Sequence, residues 1–168
     1  MKLFLFLCMS LCFCNLQAQN EKSNAVSLST DIRRIDYFLG VDYHLEIQNF
    51  QISLGLETGI IKTMFQNRLF PGIHAQVAYP ILKTPIFSLS PAIDLNYNFL
   101  NVVRNSSHPN VYQEYRLGYA LKWGKKIQLI HSAGIGLIAE HAYGTYSQKY
   151  IQALNLGYSI KLGCLYEF

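Results

Sequence analysis

His131 and Ser132 stand side by side in this chain, and Glu140 follows them on the same stretch. A base, a hydroxyl nucleophile and an acid are the parts of acyl-transfer chemistry, provided that base and nucleophile share a hydrogen bond. The residues around them alternate apolar and small, as in an extended strand, where neighbours point to opposite faces. His131 and Ser132 are then on different sides of the chain, so no catalytic residue is expected. His44 and His74 are each alone on a polar face, and such histidines are more often satisfied by hydrogen bonds than they are metal ligands. No Cys or His cluster has zinc spacing and no Gly-rich phosphate loop is present. No metal and no cofactor is expected. The remaining charged residues fall into two sets, and what either can do depends on the elements that hold it.

Those elements alternate with period two. Tyr37, Leu39, Val41, Tyr43, Leu45 and Ile47 share one face, while Asp36, Phe38, Gly40, Asp42, His44 and Glu46 share the other. Five more segments follow the pattern: around Gln51–Ile60, Leu69–Ile81, Phe87–Phe99, Glu114–Trp123 and Leu154–Phe168. Ile127–Tyr143 follows it less cleanly, and Ala25–Thr30 is a weaker eighth strand. Gln48-Asn49, Lys83-Thr84-Pro85 and Gly124-Lys125 read as tight turns. Looser connections near 31–34, 66–68, 104–110 and 144–148 alternate with them. Tight turns and loops then lie at opposite ends of an antiparallel meander, and eight strands can close with no free edge.

Parity alone leaves open which face points inward. A soluble barrel would hide the Leu, Ile, Tyr and Phe face inside. An eight-stranded interior is only just wide enough to be filled by side chains, however, and the Gly, Ala, Ser and Asn face is the one small enough to fit. The polar face also carries too few Lys and Glu residues to coat every strand against water. The apolar face is therefore expected outside, against lipid. Composition agrees: 51% hydrophobic and 14% aromatic, with 14% charged residues against about 25% in typical soluble domains.

Residues 1–18 read as a cleaved secretory signal: Lys2, the apolar run Leu3 to Cys14, then a short polar stretch ending in Ala18. That run is too short to span a bilayer. Residues 19–168 remain as one domain, with Cys164 as the last cysteine and hence no internal disulfide. Its formal charge is +3, since the signal removes one of 14 basic residues and none of the 10 acidic ones. That excess is too small to indicate nucleic acid.

The chain closes on Lys161-Leu162-Gly163-Cys164-Leu165-Tyr166-Glu167-Phe168. A polar residue, a Gly two positions on and aromatics at the third-last and last places resemble the C-terminal signal of small bacterial outer-membrane β-barrels of the OmpX and OmpA-transmembrane type. The resemblance implies an all-β fold, a closed antiparallel up-and-down transmembrane barrel of eight strands. It also implies that Gly163, Tyr166 and Phe168 are read by the barrel-assembly machinery, that tight turns face the periplasm, and that loops face outside. Aromatics cluster accordingly: Tyr79, Phe87, Trp123, Tyr166 and Phe168 near the turns, and Tyr37, Tyr97, Phe99, Tyr143, Tyr146 and Tyr150 near the loops. Some barrels of this kind are lipid A acyl-modifying enzymes, but adjacent His131-Ser132 departs from the His-x-Ser spacing of the deacylases. His131 is expected as an isolated polar residue near the loop-end interface.

Within that frame the two charged sets acquire places. Asp42, Glu57, Asp94, Glu114 and Glu140 share inward parity with Arg116, Lys122 and Lys161, where isolated charges would be costly, so they should pair. Arg33, Arg34, Lys62, Arg68, Arg104 and Lys149 fall at the loop end, a collar able to contact the phosphates of lipopolysaccharide. The expectation is a monomeric, non-enzymatic outer-membrane component whose partners are membrane lipids and lipopolysaccharide. A lipid-modifying enzyme and a narrow channel are the alternatives.

Overall fold

Alternating sequence of this kind can satisfy its backbone polar groups in lipid only by pairing strand to strand around a closed ring. The computed structural model describes residues 22–47, 49–66, 68–102, 110–144 and 149–168. The expected signal, Arg104 and Tyr146 lie outside them. The strands are β1 (Lys22–Arg33), β2 (Tyr37–Ile47), β3 (Phe50–Gly59), β4 (Arg68–Leu69), β5 (Pro71–Ala78), β6 (Leu82–Thr84), β7 (Phe87–Val102), β8 (Asn110–Gly124), β9 (Ile127–Gly144) and β10 (Lys149–Glu167). One short helix, α1 (Ile60–Met64), follows β3.

Eight of these strands make the wall. The antiparallel order runs β1, β2, β3, β5, β7, β8, β9 and β10, and β1 closes the ring on β10 from Ala25↔Glu167 to Arg33↔Ser159. The two short pieces extend the fourth stave, since β4 pairs with the loop end of β7 and β6 with its turn end. Pro80 interrupts the stave between β5 and β6 because it has no N–H for the ladder, yet Tyr79 and Ile81 on either side still donate to Pro91 and Leu89 carbonyls.

Burial is inverted relative to a water-soluble protein. Leu56, Leu117 and Ile135 are 70, 66 and 74% exposed, whereas Asn98, Glu114 and Arg116 are 0, 0 and 2% exposed. The greasy parity faces outward and the polar parity inward, the arrangement suited to lipid. Small inward residues let the narrow ring close. A Cβ on Gly136 would sit 1.9 Å from the Tyr115 carbonyl oxygen, and Gly124 turns the β8–β9 hairpin at φ +134°, which side chains rarely adopt.

The first hairpin departs from expectation. The weak strand Ala25–Thr30 extends to Lys22–Arg33, and the connection expected near 31–34 shrinks to a turn closed by Arg33 N–H donating to the Asp36 carbonyl at 3.0 Å. Asp31 and Arg33 read as loop charges, but they continue the parity of Ser27 and Ser29 into the interior. His131 is also displaced. It pairs opposite Leu121 and Leu162, close after the β8–β9 tight turn, so it lies toward the turn end rather than the loop end.

Candidate functional site: a charged lumen between a sealed end and an open end

Inward parity from eight staves stacks side chains in layers along the lumen. At the loop end the layer is apolar: Phe38, Phe70, Leu100, Tyr112 and Ile138 form one buried cluster, with Ile35 against it. Phe70 lies 5.2 Å from Phe38 and 5.4 Å from Tyr112, centroid to centroid. Helix α1 covers this plug. The Asp36 carboxylate accepts from the Ile61 and Lys62 amides at 3.0 Å each, and also from Tyr37 N–H. The Lys62 ammonium donates to the Ile35 carbonyl at 2.5 Å and rests 4.6 Å from the Phe70 ring centre, a favourable cation–π placement.

Below the plug sits Arg33. Its guanidinium grips the Glu57 carboxylate with both terminal nitrogens, at 2.6 and 2.5 Å, while Nε donates to Asp31 at 2.6 Å. Asn98 donates to the same Glu57 at 2.7 Å. Arg116 lies 3.2 Å from Glu114 and 3.8 Å from Asp31, and Glu114 is also 3.8 Å from Arg33. Arg33 thus holds Glu57 and Asp31 by forked hydrogen bonds, while Arg116 and Glu114 attract each other without a hydrogen bond of good geometry. The next layer is built on His74, whose ring nitrogens lie 3.0 Å from Asp42 and 3.3 Å from Asp94. Lys161 donates to Asp42 at 2.7 Å, and Gln76 to Asp94 at 2.7 Å. Ser27 then links downward to His44 at 2.8 Å.

Toward the tight turns the lumen opens. A cavity of about 560 Å³ is lined by His44, Glu46, Gln51, Ser88, Lys122 and Glu167, with Lys83 and Lys125 at its edge. Lys83 pairs with Glu46, and Gln128 donates to Glu167 at 3.0 Å.

Six of the eight expected lumen charges meet in the two polar layers: Asp42, Glu57, Asp94, Glu114, Arg116 and Lys161. Two stand apart. Glu140 accepts from the Tyr112 hydroxyl at 2.9 Å beside the plug, and Lys122 enters the open cavity. The expected collar is two members smaller. Arg33 is 3% exposed and faces the lumen, because the bidentate Glu57 contact is available there, and Lys62 folds over the aromatic plug. Arg34 remains exposed and donates to the Leu156 carbonyl at 2.7 Å. Arg68 and Lys149 begin β4 and β10 at the loop end. Sequence reading left Asp31, Arg33 and His74 out of the lumen network, although the parity of Asp31 and Arg33 with Ser27 and Ser29 carried the signal.

His131 and Ser132 take opposite faces. Ser132 is buried inward, while His131 packs near Tyr119, 5.6 Å between ring centres. At the C-terminus Phe168 is 65% exposed and its N–H donates to the Asn24 carbonyl, while Tyr166 is 48% exposed on the same outward face.

No family model and no curated protein sequence matches the chain. Among solved structures it is similar to the N-terminal β-barrel domain of Pseudomonas aeruginosa OprF, with a TM-score of 0.61 at 12% identity over 89% of this chain and 100% of that one. A major outer membrane protein from Thermus thermophilus is similar with a TM-score of 0.53 at 11% identity, again over 89% of this chain and 100% of that one. The fold is therefore that of small eight-stranded outer-membrane barrels.

Proposed function

We propose that this chain is an integral outer-membrane protein that acts as a non-enzymatic, non-conducting envelope component. The observation that carries the reading is the coexistence of an apolar outer face with a lumen stoppered by paired charges and an aromatic plug. Such a ring suits lipid, and the paired charges and the aromatic plug fill the lumen between its two ends. Enzyme chemistry has no support from His131, Ser132 and Glu140, which point to different faces or different layers. Expressed in a Gram-negative host, the protein should co-fractionate with outer membrane on a density gradient and run as a compact band that shifts on boiling. Recovery in the soluble periplasmic fraction would overturn the membrane reading.

The loop end is the surface through which it meets the exterior, and its partner is the phosphate layer of lipopolysaccharide. With Arg33 in the lumen and Lys62 bound over the plug, the contact falls to Arg34, Arg68, Arg104 and Lys149. Changing Arg34, Arg68 and Arg104 to Gln together should weaken lipopolysaccharide binding and flatten its salt dependence, with the barrel still folded. Unchanged affinity and salt dependence would remove lipopolysaccharide from the account. Biogenesis would use the terminal strand: Phe168→Ala should lower the amount of folded barrel, and equal folded levels would remove that role.

A further inference from the structure

The cavity at the turn end is built differently from the rest of the lumen. The charged side chains of the two polar layers above it each lie within 4 Å of a basic or acidic partner or of His74, whereas none of the ion pairs among the described residues includes Lys122. Lys122 lies on the inward face of β8, opposite Ser88 on one side and Ile130 on the other. Glu46 and Glu167 attract Lys122 without an ion-pair contact, Glu46 being paired with Lys83 while Glu167 accepts from the neutral Gln128 amide. Three lysines and two glutamates line the space, a formal charge of +1 that includes the exposed Lys125 at its edge. Other polar groups share the wall. Gln51, 7% exposed, brings a side-chain amide whose NH₂ can donate. Ser88 adds a hydroxyl and His44 a ring edge.

We infer that this turn-end cavity is a binding site for a small water-soluble anion carrying a carboxylate or phosphate group, with Lys122 as the counter-charge and Gln51 and Ser88 as hydrogen-bond donors. Its volume falls within the range of small-molecule sites. The Ser27–His44 contact and the Lys161–Asp42–His74 layer close its inner end, so the ligand enters and leaves by the turn end alone. In the proposed membrane orientation that mouth opens to the periplasm. The anion site itself does not depend on the outer-membrane assignment, because its lining residues all come from the lumen of this one chain.

The test is amide NMR of the isotope-labelled barrel in detergent micelles, titrated separately with succinate and with inorganic phosphate. The expected result is a saturable shift of the Gln51, Ser88 and Lys122 amides by at least one probe, with Phe38 and Tyr112 at the plug unmoved. Response to succinate alone assigns a carboxylate ligand, and response to phosphate alone assigns a phosphate ligand. Lys122→Gln should weaken the responding probe at least tenfold, Lys122→Arg should stay within about threefold of wild type, and Lys126→Gln, outside the cavity, should match wild type. Shifts that never saturate with either probe, or an affinity unchanged in Lys122→Gln, overturn the site. Should Lys122→Gln not fold, saturation in wild type and Lys122→Arg confined to the turn end supports it, and shifts centred on the loop end reject it.

Discussion

The two ends of the lumen solve opposite problems with the same parity of residue. At the loop end the inward positions are Phe38, Leu100, Tyr112 and Ile138, and Phe70 completes a dry plug under α1. At the turn end they are Ser88, Lys122, Gln128 and Glu167, and the space stays open. Between them, Arg33 and His74 hold two polar layers. The contrast teaches that inward-facing in a small barrel is not one environment: charge density and side-chain volume change with depth, so identical substitutions should have unequal effects.

Removing Arg33 should have the largest effect. Arg33→Ala leaves Glu57 buried without its cation, and Asp31 and Glu114 with Arg116 alone; breaking such a pair typically costs about 3–5 kcal/mol. A large fall in the urea midpoint is expected, and a midpoint within error of wild type would mean that the layer contributes little. Phe70→Ala attacks the plug instead, where truncating a buried aromatic costs about 3–5 kcal/mol, and it also removes the ring on which the Lys62 ammonium rests. A variant as stable as wild type would show that the loop end is not packed as described. Gly136→Val is a smaller perturbation at the wall. Its Cβ meets the Tyr115 carbonyl, and overpacking of this sort costs about 1–3 kcal/mol, read from the same unfolding curves. Lys83→Ala at the open end should matter least. Its ion pair with Glu46 involves a lysine side chain that is 54% exposed, and such pairs contribute about 0–1 kcal/mol. A destabilisation by Lys83→Ala matching that of Arg33→Ala would erase the distinction between the ends.

Much of the wall was legible because period-two alternation is a local property. Leu54 and Leu56 needed no knowledge of their neighbours to declare a face. The lumen was less legible for the complementary reason. Whether Arg33 sits on a rim or in an interior depends on Glu57 and Asn98, residues from other staves that sequence order does not bring together. The plug was hidden by the same non-locality. Phe38 and Phe70 both shared the polar parity of their expected strands and looked like exceptions there; only closure of the ring places them against Tyr112 and Ile138. His131 was misplaced along the axis although the signal was local: it follows the Gly124-Lys125 turn by a few residues and pairs with Leu121, which puts it low on the barrel.

The claim on which the account turns is that the aromatic plug and charged layers shut the lumen although its turn end is open. Single-channel recording of the refolded protein in a planar bilayer tests it directly. Wild type should show a silent baseline at moderate voltage, and the Phe38→Ala, Phe70→Ala double variant, confirmed folded by its heat-shifted mobility, should show small discrete steps. Regular stepwise openings from the wild-type barrel would contradict the sealed lumen and restore the narrow channel.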